Sequence, residues 1–340
     1  MVMSPTRPTI HDVAKAAGMS TLTVSRVIND HPSIKHSTRE RVERAMRQLN
    51  YEPNAAAQNV RRGSSRTIGF LMPDFAHGVS ATVAQNVERV LASEGYTVIL
   101  ACSHFDPAAE ERALRSFQRN RIEAVLLKTC DESDPGIIER VAAMDCPVVL
   151  VDRDLPVEVD SVVIDHAKAM QGAVQYLAAL GHKRIALVAP SAKMRPGRER
   201  IAGFKRGLRA SRLLRADSPI LDGGTSEDYA RQVIMELLRG RSRPTALIAG
   251  GNQILYGALE ALKHLGLKYP RDISLLGADH PALGRVSSPE ITMIDRLPGQ
   301  LAEAAARTLL HHLRTPGSAP QRVVLEGRFI EGQSCDVARG

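Results

Sequence analysis

The sequence predicts a small, basic, all-α head followed by a larger α/β body, and three observations carry that expectation. Residues 1–66 hold 11 lysines and arginines against 5 acids, whereas the other 274 residues hold 34 against 32. A surplus gathered at one end is the electrostatic footprint of a nucleic-acid contact there. Between residues 9 and 49, apolar side chains recur at helical spacing in three short stretches. From residue 67 onward, apolar runs alternate with helical stretches, the layout of a parallel sheet whose strands are buried on both faces.

Composition narrows the class. A chain of 340 residues is too long for one ordinary domain, and 44% hydrophobic with 24% charged residues is globular rather than disordered. No stretch approaches the roughly 20 apolar residues of a membrane helix. Met1–Pro8 carries no apolar run of the secretory kind, so a cytoplasmic location is expected. Cys102, Cys130, Cys146 and Cys335 are scattered without a Cys-x-x-Cys pair, which points to reduced thiols. There is no nucleophile elbow, Walker loop or zinc-binding histidine pair, and the adjacent His311 and His312 point to different sides of a helix. No catalysis, metal or cofactor is expected.

In the head, Thr9 is placed to cap a first helix, with Asp12 three residues on as the capping-box acid. Ile10, Val13, Ala14 and Ala17 form its apolar face, and Gly18 ends it where the lack of a Cβ eases the turn. Met19 fills that turn, Ser20 caps a second helix, and Val24, Val27 and Ile28 face inward. A third helix is expected over residues 37–49, capped by Ser37 with Glu40. Its inner side is Val42, Ala45, Met46 and Leu49; its outer side is Arg39, Arg41, Arg44 and Arg47. This spacing suits a helix-turn-helix, and by itself suits a plain helical hairpin with a solvated basic face equally well.

The residue order is more specific. Thr9-Ile10-His11-Asp12-Val13-Ala14-Lys15-Ala16-Ala17-Gly18-Met19-Ser20, then Thr23-Val24-Ser25-Arg26-Val27-Ile28-Asn29, resembles the DNA-binding headpiece of the LacI/GalR transcription regulators. The resemblance implies a recognition helix that begins at Ser20 and enters the major groove by its N-terminal end. Thr21 and Leu22 stand at the two variable, sequence-selecting positions, and Leu22 offers only apolar contact, for example to a thymine methyl. Ser20, Thr23, Ser25, Arg26 and Asn29 match positions that contact bases or phosphates, with Arg26 the candidate for a guanine. Lys35, where the family usually has a small capping serine, and Thr38 complete the set in the head.

Leu49-Asn50-Tyr51-Glu52-Pro53-Asn54 resembles the family's lead into a hinge helix. The following stretch to Gly63 is alanine-rich and too short to be stable as an isolated helix. That suits a hinge which folds when two copies pair in a widened minor groove, with Asn54, Ala57, Val60 and Arg61 toward the DNA. Val60 stands where the family has a wedge leucine, so a smaller central kink is expected. A plain basic linker is the competing reading.

The apolar runs of the body are Ile68–Met72, Thr97–Ala101, Ala124–Leu127, Val148–Val151, Val162–Ile164, Ile185–Ala189, Ala246–Ala249 and Ile273–Leu276. Polar residues follow several of them: Asp74, Asp152-Arg153, Asp165-His166, Asn252 and Asp279. Each alone is a routine strand-end cap; together, at the carboxyl ends of strands, they favour a cleft for a polar, hydroxyl-rich ligand.

The resemblance continues through Val151-Asp152-Arg153, Ile164-Asp165, Leu180–Ala186, Arg200–Phe204 and Ile273–Asp279. It implies two Rossmann-like parallel-sheet subdomains shaped like a periplasmic sugar-binding protein. Residues 1–52 would be the headpiece, 53–66 the hinge and linker, and 67–340 the effector-binding and dimerisation domain. Its first subdomain would take about 67–164 plus 297–323 and its second about 165–296 plus 324–340, with crossings near Asp165, Asp295 and Val324. The effector-binding assignments are Asp74, Phe75, Asp152, Asp165, Arg195, Arg200, Asn252 and Asp279. The loop Pro73–Ser80 lacks the aromatic pair often found at positions 79 and 80, which removes a stacking platform for a ring. Lys193, Arg195, Arg198 and Arg200 are either a solvated loop or a clamp for an anionic effector such as a sugar acid or phosphorylated sugar.

The expected protein is therefore a homodimeric DNA-binding transcription regulator, read as a repressor. It binds a pseudo-palindromic operator, answers to a small polar effector, and makes no membrane contact. The tail after Phe329 has no leucine heptads, so no tetramer bundle is expected. The competing class is a solute-binding protein of the same body fold, which would have no use for the basic head.

Overall fold

A computed structural model describes residues 8–52, 64–75, 78–213 and 217–338. The chain divides into two compact units at the Arg66–Thr67 junction.

The first unit contains helices Ile10–Ala17, Thr21–Ile28 and His36–Gln48. Val13, Ala14, Ala17, Val24, Val27, Val42 and Ala45 are its buried core, with Met19, Ile28, Met46, Leu49 and Tyr51 packed around them. The first cap forms as its residues dictate: Thr9 Oγ1 accepts from the Asp12 amide while the Asp12 carboxylate accepts from the Thr9 amide at 2.8 Å. Gly18 closes the helix at φ 62°, and a Cβ there would lie 2.7 Å from Arg41 Nη2. Ser20 Oγ accepts from the Thr23 amide at 3.1 Å and starts the second helix. The third helix departs from expectation. It begins one residue earlier, at His36, and Lys35 occupies the cap position without a side-chain bond; Ser37 lies inside the first turn, so it does not cap.

The second unit contains two six-stranded sheets. The first joins β1 (Thr67–Met72), β2 (Thr97–Cys102), β3 (Ala124–Leu127), β4 (Val148–Val151), β5 (Asp160–Ile164) and β11 (Arg322–Leu325) in the order β11-β5-β4-β3-β1-β2. Every pairing in it is parallel. The second joins β6 (Ile185–Val188), β7 (Ile220–Leu221), β8 (Ala246–Ala249), β9 (Ser274–Asp279), β10 (Thr292–Asp295) and β12 (Arg328–Ile330) in the order β12-β10-β9-β8-β6-β7. It is parallel except for β12, which runs antiparallel to β10. The two orders are the same when β1–β5 are laid over β6–β10.

Helices cover both faces of each sheet, which is why the central strands read as unbroken apolar runs. Gly78–Ser93 and Pro298–Arg314 pack on one face of the first sheet through Val83, Val87, Leu301 and Leu309. Pro107–Arg119 and Pro135–Ala142 cover the other through Leu114, Phe117 and Ile137. In the second sheet, Glu227–Arg239 and Asn252–Leu265 take one face, and His166–Ala179 and Arg195–Ala210 the other. His182 ties the second sheet's strand starts together, its ring nitrogens 2.8 Å from Thr245 Oγ1 and 2.9 Å from Ser274 Oγ.

Three expectations change. β2 is an edge strand with Ile99 44% and Leu100 47% exposed, not buried on both faces. Four short strands, β7, β10, β11 and β12, are added. The third crossing falls at Glu326-Gly327 rather than Val324, because β11 pairs with β5 along its whole length and keeps residues 324 and 325 in the first sheet.

Helices His166–Ala179 and Arg195–Ala210 approach so closely that a Cβ on Gly203 would lie 2.3 Å from the Ala167 carbonyl oxygen. Gly203→Ala is expected to destabilise the body by about 1–3 kcal/mol through overpacking against backbone. A lowered urea midpoint at unchanged slope would show it; an unchanged midpoint would mean that the helices slide apart freely.

Candidate functional sites

In the head, the N-terminal end of helix Thr21–Ile28 presents the residues expected to read DNA. Leu22 is 61% exposed, a large apolar side chain with no core to enter, while Thr21 and Thr23 are half-buried and Arg26 is exposed. Thr23 Oγ1 lies 2.9 Å from Ser20 Oγ. Asn29 is turned back on its own helix: its Nδ2 donates to the Ser25 carbonyl at 2.7 Å, so it caps the C-terminal end instead of projecting outward. Arg39, expected on the solvated side, pairs with Asp30. Lys35 is exposed and Thr38 half-buried at the start of the third helix. Asn54, Ala57, Val60 and Arg61 lie outside the described residues.

In the body, the carboxyl ends of both sheets meet around a cavity of about 120 Å³. Asp74 reaches it from the end of β1, Lys128 from β3, Arg153 from β4, Asp279 from β9 and Arg296 from β10. Helix Arg195–Ala210 supplies Arg200, and helix Asn252–Leu265 opens at it with Asn252. Helix Gly78–Ser93 adds Val79 and Ser80 from its first turn, so three helix N-termini, each carrying partial positive charge, front the cavity. Arg200 Nη2 donates to Asp279 Oδ1 at 2.5 Å, and Arg200 Nη1 to the Gly250 carbonyl. The Asn252 amide donates to Asp279 Oδ2 at 3.3 Å, while Asn252 Oδ1 is buried with no hydrogen-bond partner. Asp279 holds this place at φ 101°, a conformation that side chains rarely adopt.

Of the eight residues expected around an effector, Asp74, Arg200, Asn252 and Asp279 line this cavity and four do not. Phe75 packs against the first sheet's core. Asp165 caps helix His166–Ala179 through a 2.8 Å bond from the Lys168 amide and borders a separate cavity of about 310 Å³. Arg195 is buried, donating to the Ile164 carbonyl at 2.6 Å and pairing with Asp154 at 3.0 Å. Asp152 has no exposed surface and sits beneath the cavity. Its carboxylate oxygens are 3.0 Å from His166 Nε2 and 3.7 Å from both Arg195 Nη1 and Arg296 Nη1. Strand-end position placed Phe75, Asp152 and Asp165 near the cleft, and the cation run placed Arg195 there, but core packing, ion pairing and capping took their side chains elsewhere.

The cation run also resolves differently. Lys193 pairs with Asp131 at 3.1 Å and Arg198 with Glu132, so these two bridge from the second half of the body to the first. Lys128, Arg153 and Arg296 join Arg200 in their place. Lys128 was open to detection, because it follows an apolar run as the strand-end acids do. Arg296 was hidden behind the unrecognised β10. Phe105, 47% exposed and held at φ 60° beside His104 at φ 51°, supplies the cavity with an aromatic ring that the Pro73–Ser80 loop lacks.

The buried charges set one another's protonation. Burial alone would raise the Asp152 carboxyl, but His166, Arg296 and Arg153 hold it well below the usual carboxylate range. Asp279 is likewise held low by Arg200 and Arg296 against the effect of burial. Burial pushes His166 down to about 4 despite the neighbouring Asp152, so the ring is neutral at pH 7 and Nε2–H is the tautomer that serves the carboxylate. Burial, then the Arg296 and Arg153 guanidiniums, push the Lys128 ammonium well below the usual lysine range.

The His166 shift has a stability consequence. The unfolded imidazole titrates near 6.5, so as pH falls from about 6.5 to about 4 the unfolded chain takes up a proton that the native chain refuses. Body stability is expected to decline through that window by a few kcal/mol. His166→Asn, which keeps a donor to Asp152 without titrating, should flatten the decline when urea midpoints are measured from pH 7 to pH 4.5. An unaltered profile would show that His166 is protonated in the native state.

Known proteins share this organisation. The family model described as bacterial regulatory proteins, lacI family, matches residues 9–54, and that of a periplasmic binding protein-like domain matches residues 174–335. The HTH-type transcriptional repressor PurR of Klebsiella pneumoniae (strain 342) is 29% identical over 96% of each chain. The lac repressor dimer bound to operator and the anti-inducer ONPF superposes with a TM-score of 0.86 at 26% identity, covering 97% of this chain and 99% of that one. The transcriptional regulator CelR in its cellobiose complex has a TM-score of 0.74 at 27% identity, covering 96% and 100%.

Proposed function

As the chain belongs to the LacI family and is a DNA-binding transcriptional repressor, we propose that a small polar effector, bound in the body's cavity, sets its affinity for operator DNA. The observation that carries the effector half of this reading is Asn252, a residue of the cavity lining whose Oδ1 is a buried acceptor without a partner. A buried acceptor left unpaired costs about 1–3 kcal/mol, and a ligand hydroxyl or amine would recover it. Asp279, fixed by Arg200 and oriented toward the same space, accepts a second ligand donor. CelR, whose complex holds cellobiose in the same body fold, makes a hydroxyl-bearing ligand reasonable here.

Thr21 and Leu22 select the operator sequence at the tip of the recognition helix, and Arg26 adds a guanine contact. A homodimer presents two such helices to the half-sites of a pseudo-palindrome, as protein two-fold symmetry maps onto DNA symmetry. The effector acts by favouring one relative placement of the two sheets, and its coupling to DNA is the difference in its affinity for the two states, of order 1–3 kcal/mol.

Removal of residues 1–66 is expected to abolish operator binding in a gel shift while leaving ligand binding by the body intact. Operator binding that survives removal of the head would overturn this reading. In the full chain, log affinity for operator should fall steeply with log salt, and Arg26→Ala should cost about 1–3 kcal/mol on the selected operator with a smaller loss on random DNA. An equal loss on both would move Arg26 from bases to phosphates.

A further inference from the structure

We propose that the effector is an anion, a small polyol carrying one carboxylate or phosphate, and that Lys128 is the residue that takes its charged group. The inference rests on the reading of the cavity as the effector site and adds the ligand's charge. Four cations line the cavity, Lys128, Arg153, Arg200 and Arg296, against two acids, Asp74 and Asp279.

The arginines are already engaged. Arg200 is bound to Asp279. Arg296 lies between Asp279 at 3.4 Å and Asp152 at 3.7 Å. Arg153 is buried, donates to the Thr129 and Asp152 carbonyls at 2.6 and 2.8 Å, and lies 3.8 Å from Glu132. Lys128 differs, because among the described residues no carboxylate comes within 4.0 Å of its ammonium.

At the cavity wall, burial and the Arg296 and Arg153 guanidiniums disfavour the charged amine, and Asp152 and Asp279, which are shared with the arginines, offset this only in part, so a further counter-charge is favoured there. A ligand carboxylate or phosphate supplies that charge, and the three helix N-termini around the cavity favour the same sign. The polyol part then faces Asn252 Oδ1 and the Asp279 carboxylate, which accept hydroxyl donors. Phe105 offers an apolar face at the cavity wall.

The test uses the full-length chain and its Lys128→Met and Lys128→Arg variants. Inorganic phosphate is titrated first, by calorimetry and thermal unfolding at constant ionic strength against chloride. Wild type should bind phosphate at least tenfold more tightly than Lys128→Met, and Lys128→Arg should restore most of the difference. Equal responses of wild type and Lys128→Met, including no response in either, would overturn the proposal.

Glucose, gluconate and glucose 6-phosphate then form a matched set. Preference for either charged member that disappears in Lys128→Met supports the proposal, and the better of the two distinguishes carboxylate from phosphate. Binding of glucose as tight as both anions, unaffected at position 128, would sink it.

An operator gel shift with each compound separates this inference from the reading beneath it. Anion binding at Lys128 without any change in operator affinity keeps the anion site and removes its regulatory role. A change in operator affinity driven by the neutral sugar and indifferent to Lys128 keeps the regulation and overturns the anion.

Discussion

The carboxylate of Asp152 is the point on which the body's two halves depend. It belongs to the first sheet, yet its partners His166 and Arg195 open helices of the second, and Arg296 stands where the chain crosses back. A carboxylate with no exposed surface costs several kcal/mol to desolvate and is tolerable only when its lone pairs are filled. Here they are filled by groups from across the divide, together with the Ile164 amide at 3.3 Å. Separating the halves would leave an anion and two guanidiniums short of partners in a poorly hydrated place. Any rearrangement driven from the cavity must therefore exchange these contacts for others rather than merely break them, which gives the body discrete arrangements in place of a continuum of openings.

How much of this was legible in the residues depends on which force decided each position. Thr9, Gly18 and Ser20 were readable because caps and left-handed turns are local, satisfied within a few residues. The long apolar runs were readable because strands buried on both faces leave an unbroken signature. β7, β11 and β12 were not, since two to four residues at a sheet edge carry little periodicity; β10 is interior, but its apolar pair Met293-Ile294 is flanked by polar Thr292 and Asp295, and losing it concealed Arg296. Asp165 and Asp152 had the position of ligand-binding acids, and position was all that the sequence could offer. Asp165 is taken by its own helix through the Lys168 amide three residues on, whereas Asp152 is swallowed by an ion cluster whose partners His166, Arg195 and Arg296 lie more than a dozen residues away.

The chain also uses its cations in two physically different ways. Among the described residues of the head, Lys15, Arg26, Lys35, Arg41, Arg44, Arg47 and Arg66 are exposed, so their field reaches out through water over about one Debye length and weakens with salt. Those of the cleft are largely buried, Arg153, Arg200 and Arg296 each less than 10% exposed, where the same charges act more strongly at short range and are screened less by salt. A net charge of +8 thus conceals a distant attractor suited to a polyanion and a close-range binding set of fixed size, working through different dielectrics.

The three crossings between the sheets bear on how the protein comes into being. The first sheet is assembled as far as β5 by residue 164, yet it lacks β11 and the covering helix Pro298–Arg314, both of which are specified about 150 residues further on. Val83, Val87 and the inner faces of β1, β3 and β4 are complemented by Leu301, Ala305 and Leu309 of that late helix. At translation rates of about 5–20 residues per second, the nascent first half waits on the order of ten seconds with an apolar face uncovered while the second half is synthesised. A chain whose first layer is finished by its last elements has, during that interval, its greatest need of a chaperone.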